Sequence, residues 1–148
     1  MSDDDPEAYT PEMLARMSAM IRDFVPHNKA LGLEVVRMGK ADVWVKLPWA
    51  EQLVGNPTTG ALHGGAISSA MDAAGGLAVM ARLGRPGSIA TLDLRIDYMK
   101  AAKRGQDVTI HASCYKATRH VCFVRGTAYT VDPSDPVAAL AATFARKS

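Results

Sequence analysis

Cysteine is scarce in this chain. Cys114 and Cys122 are its only two, and they form neither a Cys-x-x-Cys pair nor a dense framework. That excludes a disulfide scaffold, and both thiols are expected to be reduced, in a cytoplasmic protein. Long apolar runs are missing as well: none approaches the roughly 18 residues that a membrane span needs. The stretch Met1 to Tyr9 is acidic and lacks an apolar core, so it does not read as a signal peptide. Charge of one sign is not in excess. The formal net charge is +2, which gives no strong electrostatic case for nucleic acid but permits an anionic small molecule. His27, His63, His111 and His120 show no metal-ligand spacing, so no metal site is expected. Gly55 to Gly60 has a G-x4-G frame, but Ala61-Leu62 stands where a phosphate loop requires Lys-Ser/Thr. Gly-x-Ser-x-Gly is absent, which leaves Ser68 and Ser69 without a nucleophile-elbow context.

What remains is a globular composition. The chain has 148 residues, 48% of them hydrophobic and 22% charged, enough for one domain with a sizeable core. Residues 1–9 read as a disordered tail and residues 10–148 as a single domain, with no internal repeat and no linker. Thr10-Pro11-Glu12 has the form of a helix start, with Thr10 as cap and Pro11 in the first turn. Met13, Met17, Ile21 and Phe24 follow at helical spacing, and Pro26 ends the segment. Strands are expected over Leu31 to Arg37 and through Val43, Val45 and Leu47, followed by a polar loop from Pro48 to Leu62. A long helix runs from about Gly64 to Leu83 and stops at Gly84-Arg85-Pro86-Gly87. The period then becomes two. Ala90, Leu92, Leu94, Ile96 and Tyr98 share one strand face; Thr91, Asp93, Arg95 and Asp97 share the other. Val108 to Cys114, Cys122 to Val131 and Val137 to Phe144 read as three more strands, although Ala138 to Ala142 also fits a helix. One-sided alternation in consecutive strands implies an antiparallel sheet with one covered face. The small residues of the long helix (Ala66, Ala70, Ala73, Ala74, Gly75, Gly76, Ala78) suit it as the cover. The result is an α+β domain with a sheet wrapped around one helix, plus an N-terminal helix.

The chemistry concentrates at Leu62-His63-Gly64-Gly65 and at Asp72. Two glycines at a helix start leave backbone N–H groups unshielded, where the helix dipole adds partial positive charge; such a corner suits a developing oxyanion. A lone acid in an apolar helix needs a reason. Eight residues of helix rise about 12 Å and turn by about 80°. A reacting carbonyl sits about 3 Å from both its donor and its acid. Gly64 and Asp72 of one chain therefore can hardly serve one carbonyl, and if both act, two-fold pairing sets Gly64 of one subunit opposite Asp72 of its mate. Structural alternatives stand beside each reading. Asp72 could be a buried acceptor for Ser68 or Ser69, and the glycines a tight turn. His63 could orient the loop, bond a substrate carbonyl or cap the helix, and Asn56 could fix a water or shape a turn. Lys100, Lys103 and Arg104 form a small basic cluster, either a solvated loop or a contact for ligand phosphates, and Arg119 invites the same reading.

Five segments carry a family resemblance: Asn28 to Val35, Leu62-His63-Gly64-Gly65-Ala66 with Asp72, Thr91 to Leu94, Ile96 to Met99, and Ala141 to Phe144. Together they resemble the hotdog-fold acyl-CoA thioesterases of the PaaI-like, phenylacetate type, over roughly Asn28 to Ala145. The resemblance implies a hotdog domain, an obligate homodimer joined edge to edge, and a homotetramer. It implies that the Gly64 amide polarises the thioester carbonyl while Asp72 of the opposite subunit acts as general base or nucleophile. It assigns Asn56 to the attacking water, although Asn56 sits about one residue further from His63-Gly64-Gly65 than in relatives. Gly65 and Thr91 fall at substrate-binding positions, and Lys100 and Arg119 are the candidates for the phosphates of coenzyme A. CoA is part of the substrate, so no cofactor is expected, nor nucleic acid or a membrane as partner. The alternatives are a non-catalytic acyl-CoA-binding hotdog module, hydration of an acyl thioester, and a structural oligomer.

Overall fold

The computed structural model describes residues 9–85 and 87–147. Helix α1 spans Pro11–Phe24, with Thr10 accepting a hydrogen bond from the Met13 N–H. Pro26 does not simply end a helix: it occupies the first turn of a second one, α2 (Pro26–Leu31), which closes on left-handed Gly32. The expected first strand loses its opening residues to α2, so β1 runs Glu34–Met38 and β2 Asp42–Leu47. The segment expected to be a loop holds a 3₁₀ turn (Glu51–Leu53) and a two-stranded ribbon, β3 (Val54–Asn56) with β4 (Ala61–Leu62). Then come α3 (Gly64–Leu83), β5 (Ile89–Tyr98), β6 (Val108–Ala117), β7 (Val121–Tyr129) and β8 (Ala138–Arg146). The alanine-rich last segment is a strand, because its alternate residues Ala138, Leu140, Ala142 and Phe144 meet the core. Except for Tyr9, which is half-buried against the core, the expected tail lies outside the described residues.

Six antiparallel strands form one sheet in the order β1-β2-β6-β7-β8-β5. The sheet wraps around α3, whose buried stripe Ala66, Ile67, Ala70, Met71, Ala74, Gly75, Ala78 and Val79 faces inner residues such as Val43, Val45, Ile110 and Val124. Small side chains on the helix let its backbone approach the concave face closely. Cys114 and Cys122 are free and buried in this core. Burial pushes the Cys114 thiol up to about 11, so it is a core residue rather than a nucleophile.

The two sheet edges are finished differently. Helix α1 packs along β1, and the buried Ser18 hydroxyl accepts from the Val35 N–H at 2.7 Å and donates to the Val35 carbonyl at 3.5 Å. Leu14, Met17 and Ile21 pack beside it, while Met13 and Phe24, expected on the covered face, are exposed, Phe24 at 85%. The helix turns its Ser18 side to the strand because an edge backbone needs polar partners as well as apolar cover. β5 is the other edge. Among the described residues it pairs only with β8; it is ten residues long and presents Leu92 at 59% and Tyr98 at 52% exposure, with Met99 just beyond at 57%.

The expected faces of β5 are only half right. Thr91 pairs with Phe144 and Asp93 with Thr143, so Leu92 is an extra residue in a bulge. A bulge inserts one residue into the two-residue repeat and reverses side-chain parity beyond it. Thr91 therefore lies opposite buried Phe144, on the same face as Leu94, Ile96 and Tyr98, while Leu92 is pushed outward. Sequence alternation alone puts Thr91 on the outer face with Asp93 and Leu92 on the inner one; the bulge overturns both.

Candidate active site

The corner at the start of α3 is held from several sides. Leu62 donates to the Ala102 carbonyl at 3.1 Å and His63 N–H to the Leu53 carbonyl at 2.8 Å. Gly55 lies close against the corner: a Cβ there would meet His63 Cα at 2.8 Å, so only glycine lets β3 pass. His63 is the cap of α3. Its Nδ1 accepts from the Gly65 N–H at 2.8 Å, and its carbonyl accepts from Ala66 at 3.0 Å and Ile67 at 3.4 Å. A neutral His63 ring must then carry its proton on Nε2. Of the first four amides of the helix, three are used within the turn. The Gly64 N–H has no partner among the described residues. Gly65, read from sequence as another unshielded donor, has its amide occupied by His63.

Asp72 is half-buried two turns further along. Its Oδ1 accepts from the Thr91 hydroxyl at 2.7 Å, not from Ser68 or Ser69; Ser68 bonds the Gly65 carbonyl at 3.1 Å instead. Asp72 forms no salt bridge among the described residues. At the other end of β5, the Tyr98 hydroxyl donates to the Gly64 carbonyl at 2.7 Å. Two hydroxyls of one strand thus hold the two ends of the constellation. Six strand residues, one of them the bulged Leu92, lie between these two, about 20 Å along the strand, against about 12 Å of helix between Gly64 and Asp72.

Asn56 ends β3 and is exposed; its Oδ1 accepts from Thr58 N–H at 3.0 Å and from Thr59 N–H at 3.4 Å, which shapes the turn. Its Nδ2 is left as a donor, so any water it holds would be an acceptor from it. Lys100 is ion-paired with Asp135. Arg104 is bound by Glu51 at 3.1 Å and by the Pro57 carbonyl at 3.3 Å. Arg119 lies in the β6–β7 turn. That turn sits at the Ile89 end of the sheet, since His120 accepts from Arg146 and Arg146 pairs with Ile89, whereas Lys100 follows Tyr98 at the other end. One chain therefore holds Lys100 and Arg119 about 30 Å apart, and they do not form a single phosphate cradle.

Sequence reasoning missed Tyr98 as a member of the site. With β5 read as a plain alternating strand, it counted only as one more apolar residue on the inner face. A cavity of about 430 Å³ between α1 and β1, lined by Leu14, Ser18, Arg22 and Val36 among others, contains none of the candidate residues. Among the described residues no cluster of three or more His, Cys, Asp or Glu could hold a metal ion, and no helix is long and apolar enough to cross a membrane.

Comparison with known proteins agrees with this fold. Residues 59–137 match the model of the thioesterase superfamily. A Salmonella typhimurium protein named medium/long-chain acyl-CoA thioesterase YigI is 35% identical over 117 residues, covering 68% of this chain and 73% of that protein. A crystal structure of a Pseudomonas aeruginosa protein superposes with a TM-score of 0.80 at 36% identity, over 90% of this chain and 99% of the other. The Escherichia coli PaaI protein of the phenylacetic acid degradation operon shares the fold, with a TM-score of 0.76 at 17% identity over 91% of this chain and 96% of its own. An antiparallel sheet wrapped around one central helix is the hotdog fold, and the chain belongs to the thioesterase superfamily as a thioester hydrolase.

Proposed function

We propose that the chain is an acyl-CoA thioesterase whose sites are shared between two subunits. The observation that carries this reading is the pairing of an untied Gly64 N–H with Asp72 at opposite ends of one open strand. An antiparallel association of two β5 edges about an axis through Arg95 puts Thr91 of one chain across from Tyr98 of the other, since the bulge at Leu92 leaves each three register steps from that point. The amide corner of each subunit then lies beside the carboxylate of its mate.

The chemistry follows from the groups present. The thioester carbonyl accepts a bond from the Gly64 N–H, which is worth most as negative charge builds on that oxygen. Asp72 of the partner subunit takes a proton from water as the water attacks the carbonyl carbon. The tetrahedral intermediate collapses to free acid, the C–S bond breaks, and the proton returns to the thiolate of CoA. In the covalent variant Asp72 attacks directly, and water opens the resulting anhydride. Single-turnover hydrolysis in ¹⁸O-water separates these: label in Asp72 identifies the covalent route. Neither route needs a cofactor. Medium- and long-chain acyl groups are the first substrates to test, by analogy with the YigI relative.

Two variants test the shared site. Asp72→Ala removes the base and is expected to lower kcat by at least about 100-fold. Gly64→Pro deletes the amide at the first helical position, where proline is tolerated and where His63, at φ −63° and ψ 132°, already has the conformation that proline asks of its predecessor. The same scale of loss is expected. Co-refolding the two inactive variants in equal amounts should restore about a quarter of wild-type activity, because half the dimers are mixed and each mixed dimer has one intact site. No recovery sinks the shared site. No wild-type activity on any acyl-CoA sinks the thioesterase reading and leaves a binding module.

A further inference from the structure

We infer that Tyr98 is a positioning residue for the reaction, resting on the reading above, and that it acts by fixing the peptide unit next to the catalytic amide. The peptide between Gly64 and Gly65 is held at both polar ends by side chains: its carbonyl oxygen accepts from the Tyr98 hydroxyl at 2.7 Å, and its N–H donates to His63 Nδ1 at 2.8 Å. Glycine pairs are the most freely rotating stretch a backbone can have, so a donor at the start of one is aimed only if something else holds the neighbouring plane. The preceding peptide, between His63 and Gly64, has its carbonyl tied to Ala66 and Ile67. Its N–H is the group left to bind substrate. With both neighbouring planes held, the Gly64 N–H keeps one direction, and preorganisation of this kind makes a dipole effective against developing charge.

The ring does more than carry the hydroxyl. A Cβ built on Gly64 would come within 3.3 Å of Tyr98 Cζ and 3.4 Å of Cε1 and Oη. The ring therefore lies against Gly64, so close that a Cβ there would need it to give by a few tenths of an ångström, and it walls one side of the amide. Tyr98 stands half-exposed at the end of the open edge, opposite fully buried Ala138. A half-exposed phenol bridging 34 residues to a helix's first carbonyl adds little to the core. Its bond satisfies a carbonyl that the helix already uses.

The test is Tyr98→Phe in the full-length protein, which keeps the ring and removes the hydroxyl. On a medium-chain acyl-CoA, kcat should fall by about 10-fold, part of the 100- to 1,000-fold that removal of an oxyanion donor itself costs, with KM within about twofold. Affinity for two inert analogues supplies a readout that a merely structural role would not move. An S-alkyl-CoA, which has no carbonyl, should bind the variant as it binds wild type. The ketone analogue with CH₂ in place of sulfur keeps the carbonyl and should bind several-fold more weakly. Tyr98→Leu, which also removes the ring, should lose more kcat than the phenylalanine variant. Wild-type kcat in Tyr98→Phe, or equal weakening of both analogues, overturns the inference. A wild-type protein without thioesterase activity would instead overturn the proposed function on which it rests.

Discussion

The two edges of the sheet carry similar backbone but opposite finishes. At β1, a helix lies along the strand and one buried serine satisfies both polar groups of Val35. At β5, ten residues of strand have no partner on the outer side among the described residues, and apolar side chains point into solvent. An uncovered strand edge is a pairing template that proteins ordinarily blunt with charge, proline or a covering element. This chain covers one edge by means of Thr10-Pro11 and the helix they start, and leaves open the edge that carries Thr91 and Tyr98. The contrast marks β1 as the finished edge and β5 as the edge that the proposed dimer would pair.

The largest expected effect comes from charging the open edge. In the proposed two-fold register, the bulged Leu92 stands next to Asp93, which faces Asp97 of the partner subunit. Leu92→Glu then adds a like charge beside these two carboxylates and should give monomers in sedimentation, with hydrolysis reduced at least about 100-fold because each site loses its carboxylate. Leu92→Lys should remain associated and active. The matching change at the covered edge, Val36→Glu, should alter neither association nor rate. Equal effects at the two edges would erase the distinction. Released CoA thiol can be followed directly in these assays, since both protein cysteines are buried.

A smaller effect is expected within the open edge. Thr91→Val keeps the shape and removes the donor to Asp72, and kcat should fall about 10-fold without loss of the dimer, as expected when a catalytic group loses its orienting partner. An unchanged rate would show that the Thr91 bond does not hold Asp72 for catalysis. The smallest effect on activity, and the clearest on stability, belongs to the covered edge. Ser18→Ala leaves two backbone groups of Val35 without their partner and should cost about 1–3 kcal/mol in denaturant unfolding, with kcat unchanged. A loss of rate comparable to that of Thr91→Val would mean that β1 is not merely a structural boundary.

Much of the fold was legible locally. The Thr10 cap, the small-residue helix ending at Gly84, and the alternating strands after it are short-range patterns, and each has its expected element. Boundaries failed where a local signal had two meanings. Pro26 both ends one helix and starts the next, and the polar run from Pro48 hid a ribbon whose β3 strand is three residues long. At the site, Gly64 and Asp72 were legible because glycines at a helix start and an acid on an apolar helix are anomalies in any fold. Thr91 was marked by family resemblance, but alternation put it on the wrong face, since a bulge leaves no clear trace in the residues that form it. Tyr98 was passed over because its role depends on a carbonyl 34 positions away.

By itself, the sequence determined that a long helix begins at a glycine corner and carries its acid eight residues on. The fixed rise of a helix then sets those two groups too far apart to serve one carbonyl within a chain. Only the tertiary structure decided which amide stays untied, which hydroxyls hold the two ends, and which edge is left open. Those outcomes rest on pairings between distant segments: Ser18 with Val35, Asp72 with Thr91, Gly64 with Tyr98, and β5 with β8 in a bulged register. A helix obeys a local repeat, whereas the register between strands is set by the total packing of the sheet, and no short stretch of residues contains it.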